Sequence, residues 1–196
     1  MDKGAEILEK YRSVEKVEQV MLCQYLGESR AEFELWLKGE NGIWHKALRC
    51  PAFVGRAGVG RAAENDSKTP LGDFGMVSAF GIKPDLGAKL NYIHVDEHTW
   101  CCGDEVAYNR IIDLREHPHN CRGEHLIDFA PEYNYGIFFD YNPEGRVGLG
   151  FAIFLHCMGD KPYTGGCIAV DEDSMRKILC SVDEHARLCI FEKAEL

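Results

Sequence analysis

The chain has 196 residues, enough for one domain with an appendage and for a core that needs no disulfide staples. Apolar residues make up 45% and charged residues 28%, an ordinary globular balance that excludes collagen-like, coiled-coil and disordered classes. The 22 Lys and Arg stand against 32 Asp and Glu, a net charge of −10 without a basic run. That balance argues against nucleic acid and anionic membrane surfaces as partners.

In chain order, Ile7, Tyr11, Val14, Val17 and Met21 recur at helical spacing. They predict an amphipathic N-terminal helix over 1–20, followed by one main domain over 21–196. The first 20 residues lack the apolar core and small-residue cleavage site of a signal peptide. No stretch approaches the ~20 apolar residues of a membrane helix. Three strands are predicted over 20–26, 31–37 and 42–50, the last two joined by a hairpin turn over 38–42. Glycines and prolines then punctuate short strands such as 74–80. Residues 96–133 read as a long surface excursion, a candidate lid. Two strong strand patterns follow over 135–142 and 150–157, with a turn at 142–145 between them. A glycine-rich loop leads to a short strand over 167–170. Asp171 caps a helix over 171–182, and 187–193 closes as a strand. The absence of βαβα alternation argues against a doubly wound parallel sheet.

The nine cysteines are odd in number and contain no Cys-x-x-Cys. Most read as small buried hydrophobes in a reducing environment. One of them stands in a chemical context. His156 ends an apolar strand, and the loop after it carries Gly159, Pro162, Gly165 and Gly166 before a strand begins at Cys167. Neighbouring strand ends bring an imidazole within reach of a thiol, and a nearby imidazolium lowers a thiol pKa. Gly165 and Gly166 allow backbone N–H groups to converge as an oxyanion site, and the Thr164 hydroxyl is placed to orient the pair. A core histidine, a buried cysteine and a plain glycine turn fit the same spacing, because eleven residues between His and Cys is a weak signal.

His156 followed by Thr164-Gly165-Gly166-Cys167 resembles the signature of the YkuD-type L,D-transpeptidase catalytic domain family, in a subgroup with a short His-to-Cys loop. A second match is Lys68-Thr69-Pro70-Leu71-Gly72-Asp73-Phe74, similar to the family's Thr-Pro-x-Gly-x-Phe element. Val54-Gly55-Arg56-Ala57-Gly58, Ala79-Phe80-Gly81, Tyr135-Gly136-Ile137 and Ala152-Ile153-Phe154-Leu155-His156 add ordered matches from about residue 31 to 190. Two positions depart from the pattern: Gly165 stands where many members have His, and Ala169 where many have Arg.

The resemblance implies a mostly β, L,D-transpeptidase-like bent β-sandwich with a few short helices and the N-terminal helix. It implies acyl transfer on peptidoglycan stem peptides through a thioester. Cys167 would attack the third stem residue and release the terminal D-alanine. His156 would carry the proton, Thr164 would orient the pair, and the N–H groups of Gly166 and Cys167, with Gly165 as a further donor, would hold the oxyanion. An acceptor amine would give a cross-link, and water an L,D-carboxypeptidase, in wall assembly or in wall recycling. A non-catalytic wall-binding domain is the alternative of another class. The family suits the cell envelope, whereas nine cysteines suit the cytoplasm.

Arg56, Lys68, Tyr92, Trp100 and Tyr163 are the candidate substrate contacts. As single charges and scattered aromatics, they also fit ordinary surface or core. Cys157 follows His156 in a strand, so it points to the opposite face and reads as core. The stretch with Cys101, Cys102, His117, His119, Cys121 and His125 fits no standard zinc spacing. It reads as a polar loop or lid, and neither a metal nor a cofactor is expected.

Overall fold

The computed structural model describes residues 2–192. Among them, no helix is long and apolar enough to cross a membrane. The chain opens with α1, Lys3–Arg12, whose N-terminus is capped by the Asp2 carboxylate accepting the Gly4 N–H at 3.2 Å. The helix is shorter than the apolar period predicts. Ser13 ends it, and Val17 reaches the same apolar cluster from a turn rather than from a helical face. Leu8 and Tyr11 pack there with Val20, Leu22, Cys189 and Phe191.

The strands β1 (Gln19–Gly27), β2 (Arg30–Lys38) and β3 (Trp44–Phe53) form an antiparallel meander. Then come β4 (Gly72–Gly81) and the short β5 (Tyr92–His94), paired in parallel. The excursion holds β6 (Thr99–Cys101), β7 (Ile111–Asp113) and β8 (Glu124–His125), which form a separate small sheet in the order β7-β6-β8. The chain returns through β9 (Gly136–Phe139), β10 (Phe154–Cys157), β11 (Ile168–Val170), α2 (Glu172–Ser181) and β12 (Arg187–Glu192).

The large sheet runs β12-β1-β2-β3-β11-β10-β9-β4-β5, and β12 also pairs with β4. That extra pairing closes the strands into a ring, with β5 hanging from β4. The architecture is mostly β and barrel-like, where the resemblance implied a bent sandwich. Closure satisfies the edge N–H and C=O groups that an open sheet would expose. The last strand supplies the closure, bonding β1 on one side in parallel and β4 on the other antiparallel.

Strand alternation divides the packing. Leu155 and Cys157 of β10 join Ile137, Phe139 and the α2 residues Met175 and Ile178 in the main core. Phe154 and Phe138 face the other way, into a second cluster with Phe80, Leu126, Tyr133 and Cys167. This second cluster lies on the face carrying Phe154 and His156, and the excursion contributes Cys101 to it.

Candidate active site

The site is built on two parallel strands. In the β10–β11 register, Leu155 lies opposite Ile168 and His156 opposite Ala169. Cys167, one residue before β11, therefore falls beside Phe154. The Phe154 N–H donates to Cys167 Sγ at 3.3 Å, and the thiol donates to the Ala152 carbonyl at 3.2 Å. Ala152 is a non-glycine residue at φ +53°, a left-handed conformation that alanine seldom adopts. The Asn109 side chain accepts its N–H at 3.1 Å, which helps to hold that carbonyl toward the sulfur.

His156 Nδ1 donates to the Cys157 carbonyl at 2.7 Å. A carbonyl only accepts, so Nδ1 carries the proton and Nε2 keeps its lone pair. Burial lowers the imidazole pKa, and the ring is neutral at pH 7. Tyr133 packs edge-on against it, with ring centroids 5.4 Å apart. His156 and Cys167 line one cleft of about 640 Å³. Each is fixed by backbone groups, and no hydrogen bond joins them directly.

Burial, together with the nearby Glu124 carboxyl, pushes the Cys167 thiol up to about 12, despite the Phe154 N–H and the Arg61 charge. The imidazolium-lowered thiol expected from the sequence is thus absent from the resting site. The loop before Cys167 is held from several sides. The Thr164 hydroxyl donates to the Cys167 carbonyl at 2.7 Å and accepts the Gly166 N–H at 3.1 Å. Thr164 thus acts on the loop backbone rather than on the imidazole, and the Gly166 N–H is already engaged. Gly166 has φ +147°, and a Cβ there would stand 2.6 Å from Arg61 Nη1, so glycine is required.

Among the expected substrate contacts, Arg56 and Tyr163 line the cleft, with the Arg56 guanidinium 5.9 Å from the Tyr163 ring centroid. Lys68 is not part of the lining, and its carbonyl accepts from Arg61 Nη1 at 3.2 Å. Tyr92 packs against the main core and donates to the Lys83 carbonyl at 2.6 Å. Trp100 stacks on His125 in the small sheet, with centroids 4.5 Å apart.

Three residues were missed. Thr69, fully buried, donates to the Cys167 carbonyl at 3.1 Å and accepts the Gly55 N–H at 2.8 Å. Arg61 has a side chain only 4% exposed, lies in the cleft wall and contacts Asp66. Glu124, from β8, also lines the cleft and accepts the Tyr133 hydroxyl at 2.5 Å. Burial pushes its carboxyl up to about 7. Thr69 lies inside the quoted Lys68-Thr69-Pro70 match, whereas Arg61 and Glu124 carry no local signal. The structure also gathers Cys102, Asp104, His119 and Cys121, which sequence spacing had read as a polar loop.

Fold and site together define a barrel-like β protein with a buried Cys–His cleft. No protein-family model matches the sequence, and no curated protein matches it. Among solved structures, the chain is similar to an L,D-transpeptidase from Mycobacterium smegmatis, with TM-score 0.43 and 12% identity, covering 89% of this chain and 59% of that one. It is also similar to Mycobacterium tuberculosis L,D-transpeptidase 1, with TM-score 0.40 and 13% identity, covering 88% and 60%. The chain spans about three-fifths of the length of these structures.

Proposed function

We propose that this chain is a cysteine acyltransferase acting on peptidoglycan stem peptides, an L,D-transpeptidase that passes through a thioester on Cys167. The observation that carries the reading is one cleft holding a buried thiol and an imidazole whose Nε2 is free to accept a proton. The ordered sequence matches supply the substrate class.

The resting pair is neutral, a thiol at about 12 beside an uncharged imidazole. Nε2 takes the thiol proton as sulfur attacks the carbonyl carbon, so no free thiolate accumulates. The Phe154 N–H supports the sulfur while charge passes through it. With Gly166 engaged by Thr164, the N–H groups of Gly165 and Cys167 are the oxyanion donors in this mechanism. The C–N bond to D-alanine breaks, and His156 returns its proton to the leaving amine. An acceptor amine then attacks the thioester and His156 takes its proton; the C–S bond breaks, His156 returns the proton to the Cys167 sulfur, and the product is a cross-link. Arg56, Arg61 and Lys161 stand in the same cleft as Glu64, Glu124 and Glu132. That mixture of signs suits a peptide carrying both carboxylates and an ammonium.

Such a substrate places the work at the cell envelope. One observation favours a second reading: all nine cysteines are free thiols, which suits a reducing compartment and an L,D-carboxypeptidase recycling wall fragments. Mass spectrometry of products from a disaccharide-tetrapeptide separates the two. A dimer lacking one alanine is expected from the wild type and not from Cys167→Ala. A monomer lacking one alanine identifies hydrolysis. An unchanged substrate with both proteins would overturn the stem-peptide assignment.

A further inference from the structure

Cys102, Asp104, His119 and Cys121 each point one donor atom into a space where all four atoms lie within 4.8 Å of one another. We propose that these four side chains form a zinc site that staples the excursion over the cleft. The arrangement is independent of the Cys167–His156 chemistry.

Cys102 Sγ stands 3.4 Å from His119 Nε2, and that nitrogen is 3.9 Å from Asp104 Oδ2. Tetrahedral zinc, with Zn–S of about 2.3 Å and Zn–N and Zn–O of about 2.0–2.2 Å, separates its ligand atoms by roughly 3.3–3.8 Å. The cluster is already near that size. His119 is also set as a ligand needs to be. Its Nδ1 donates to the His117 carbonyl at 2.8 Å, leaving the Nε2 lone pair facing the sulfur. Arg122 braces the fourth donor, its Nε giving a 2.7 Å hydrogen bond to Asp104 Oδ1 and its backbone N–H one of 2.7 Å to Oδ2.

The two ligand segments approach each other at backbone distance. A Cβ at Gly123 would overlap the Cys101 carbonyl, so glycine lets the Cys121 segment close on the Cys102 segment. Two sulfurs and one imidazole select a borderline-soft ion, which favours zinc over calcium or magnesium. Binding releases the two thiol protons to solvent. Two thiolates and one carboxylate on the dication leave a net charge of −1, and Arg122 stands beside it.

The need for a staple follows from size. Strands of two and three residues cannot bury enough surface to order such an excursion by themselves. Glu124 of the cleft wall follows Cys121 by three residues, so metal at the cluster also fixes that wall.

The test uses the full chain without an affinity tag, produced in zinc-supplemented medium and assayed for bound metal by plasma mass spectrometry. One zinc per chain is expected in the wild type, in Cys180→Ser and in Cys167→Ala. Binding weakened about tenfold or more is expected in Cys121→Ser and His119→Ala. Should those variants fold poorly, the wild type remains decisive. After chelation, one equivalent of cobalt must bring up the intense visible absorption of tetrahedral coordination together with a thiolate-to-metal band. No metal with both thiols free, a Cys102–Cys121 disulfide in the non-reduced peptide map, or zinc retained in full by folded ligand variants would each overturn the proposal.

Discussion

Cys167, the nucleophile of the proposed reaction, is a buried thiol. The sulfur belongs to a residue only 7% exposed, and its pKa is raised to about 12. Alkylation needs both access and thiolate, so Cys180, the one exposed cysteine, reacts first with iodoacetamide and Cys167 lags behind it. Peptide mapping at early times checks this, and Cys167 labelled first would contradict it. Burial raises the Glu124 carboxyl in the same way, but into the neutral pH range. Its folded pKa of about 7 lies above the ordinary 4.5, because burial disfavours the carboxylate. The stability it contributes is therefore complete below about pH 4.5 and is lost as pH rises through about 7, at a cost on the order of 3 kcal/mol. Glu124→Gln keeps an acceptor for the Tyr133 hydroxyl and removes the charge. Denaturant melts of this variant are expected to show a flatter pH profile between 4.5 and 8. Alkylation of Cys167 above pH 7 is expected to speed up, since a neighbouring negative charge is gone. An unchanged profile would mean that Glu124 ionises without penalty.

At the level of elements, the apolar runs of β1, β2, β9 and β10 were legible because both their composition and their alternation are local properties. The helix α1 was legible in kind but not in length, since Val17 mimics helical spacing while packing from a turn. Its apolar face implied packing on the main domain, but its polar anchor was not legible. Asp73 of β4 accepts Lys10 Nζ at 2.6 Å, the Tyr11 hydroxyl and Arg187 Nε at 2.9 Å, joining three elements far apart in sequence. Burial opposes its charge, yet these donors together hold the Asp73 carboxyl below the usual carboxylate range. Stability from this group is present above about pH 3.8 and is lost as pH falls through the lower folded value. Asp73→Ala leaves Tyr11 and Arg187 without their shared acceptor and is expected to cost about 1–3 kcal/mol. Thermal melts measure the loss, and amide exchange in α1 should accelerate more than exchange in β10. Equal acceleration in both would mean that Asp73 supports the whole barrel rather than the helix.

Across the whole molecule, the candidate catalytic pair was legible and most of its surroundings were not. His156 on β10 and Cys167, one residue before β11, sit close in sequence, so a local pattern brings them to neighbouring strands. The ring closure depends on β12 pairing with both β1 and β4, a choice of partners that no local pattern encodes. The same holds for the cleft. Arg61 and Glu124 approach Cys167 from before β4 and from the small sheet, respectively, and only the closed fold brings them there. Cys102 with His119, a Cys–His pair in direct contact, is equally invisible to spacing and offers a rival nucleophile within the same chain. Trapping the acyl-enzyme decides between them. The full chain is incubated with a stem tetrapeptide ending in D-alanine, quenched in acid, and mapped by mass spectrometry for the thioester. The acyl group is expected on Cys167, with no adduct in Cys167→Ala. An acyl group on Cys102, or alanine release undiminished in Cys167→Ala, would contradict the assignment of Cys167 as nucleophile.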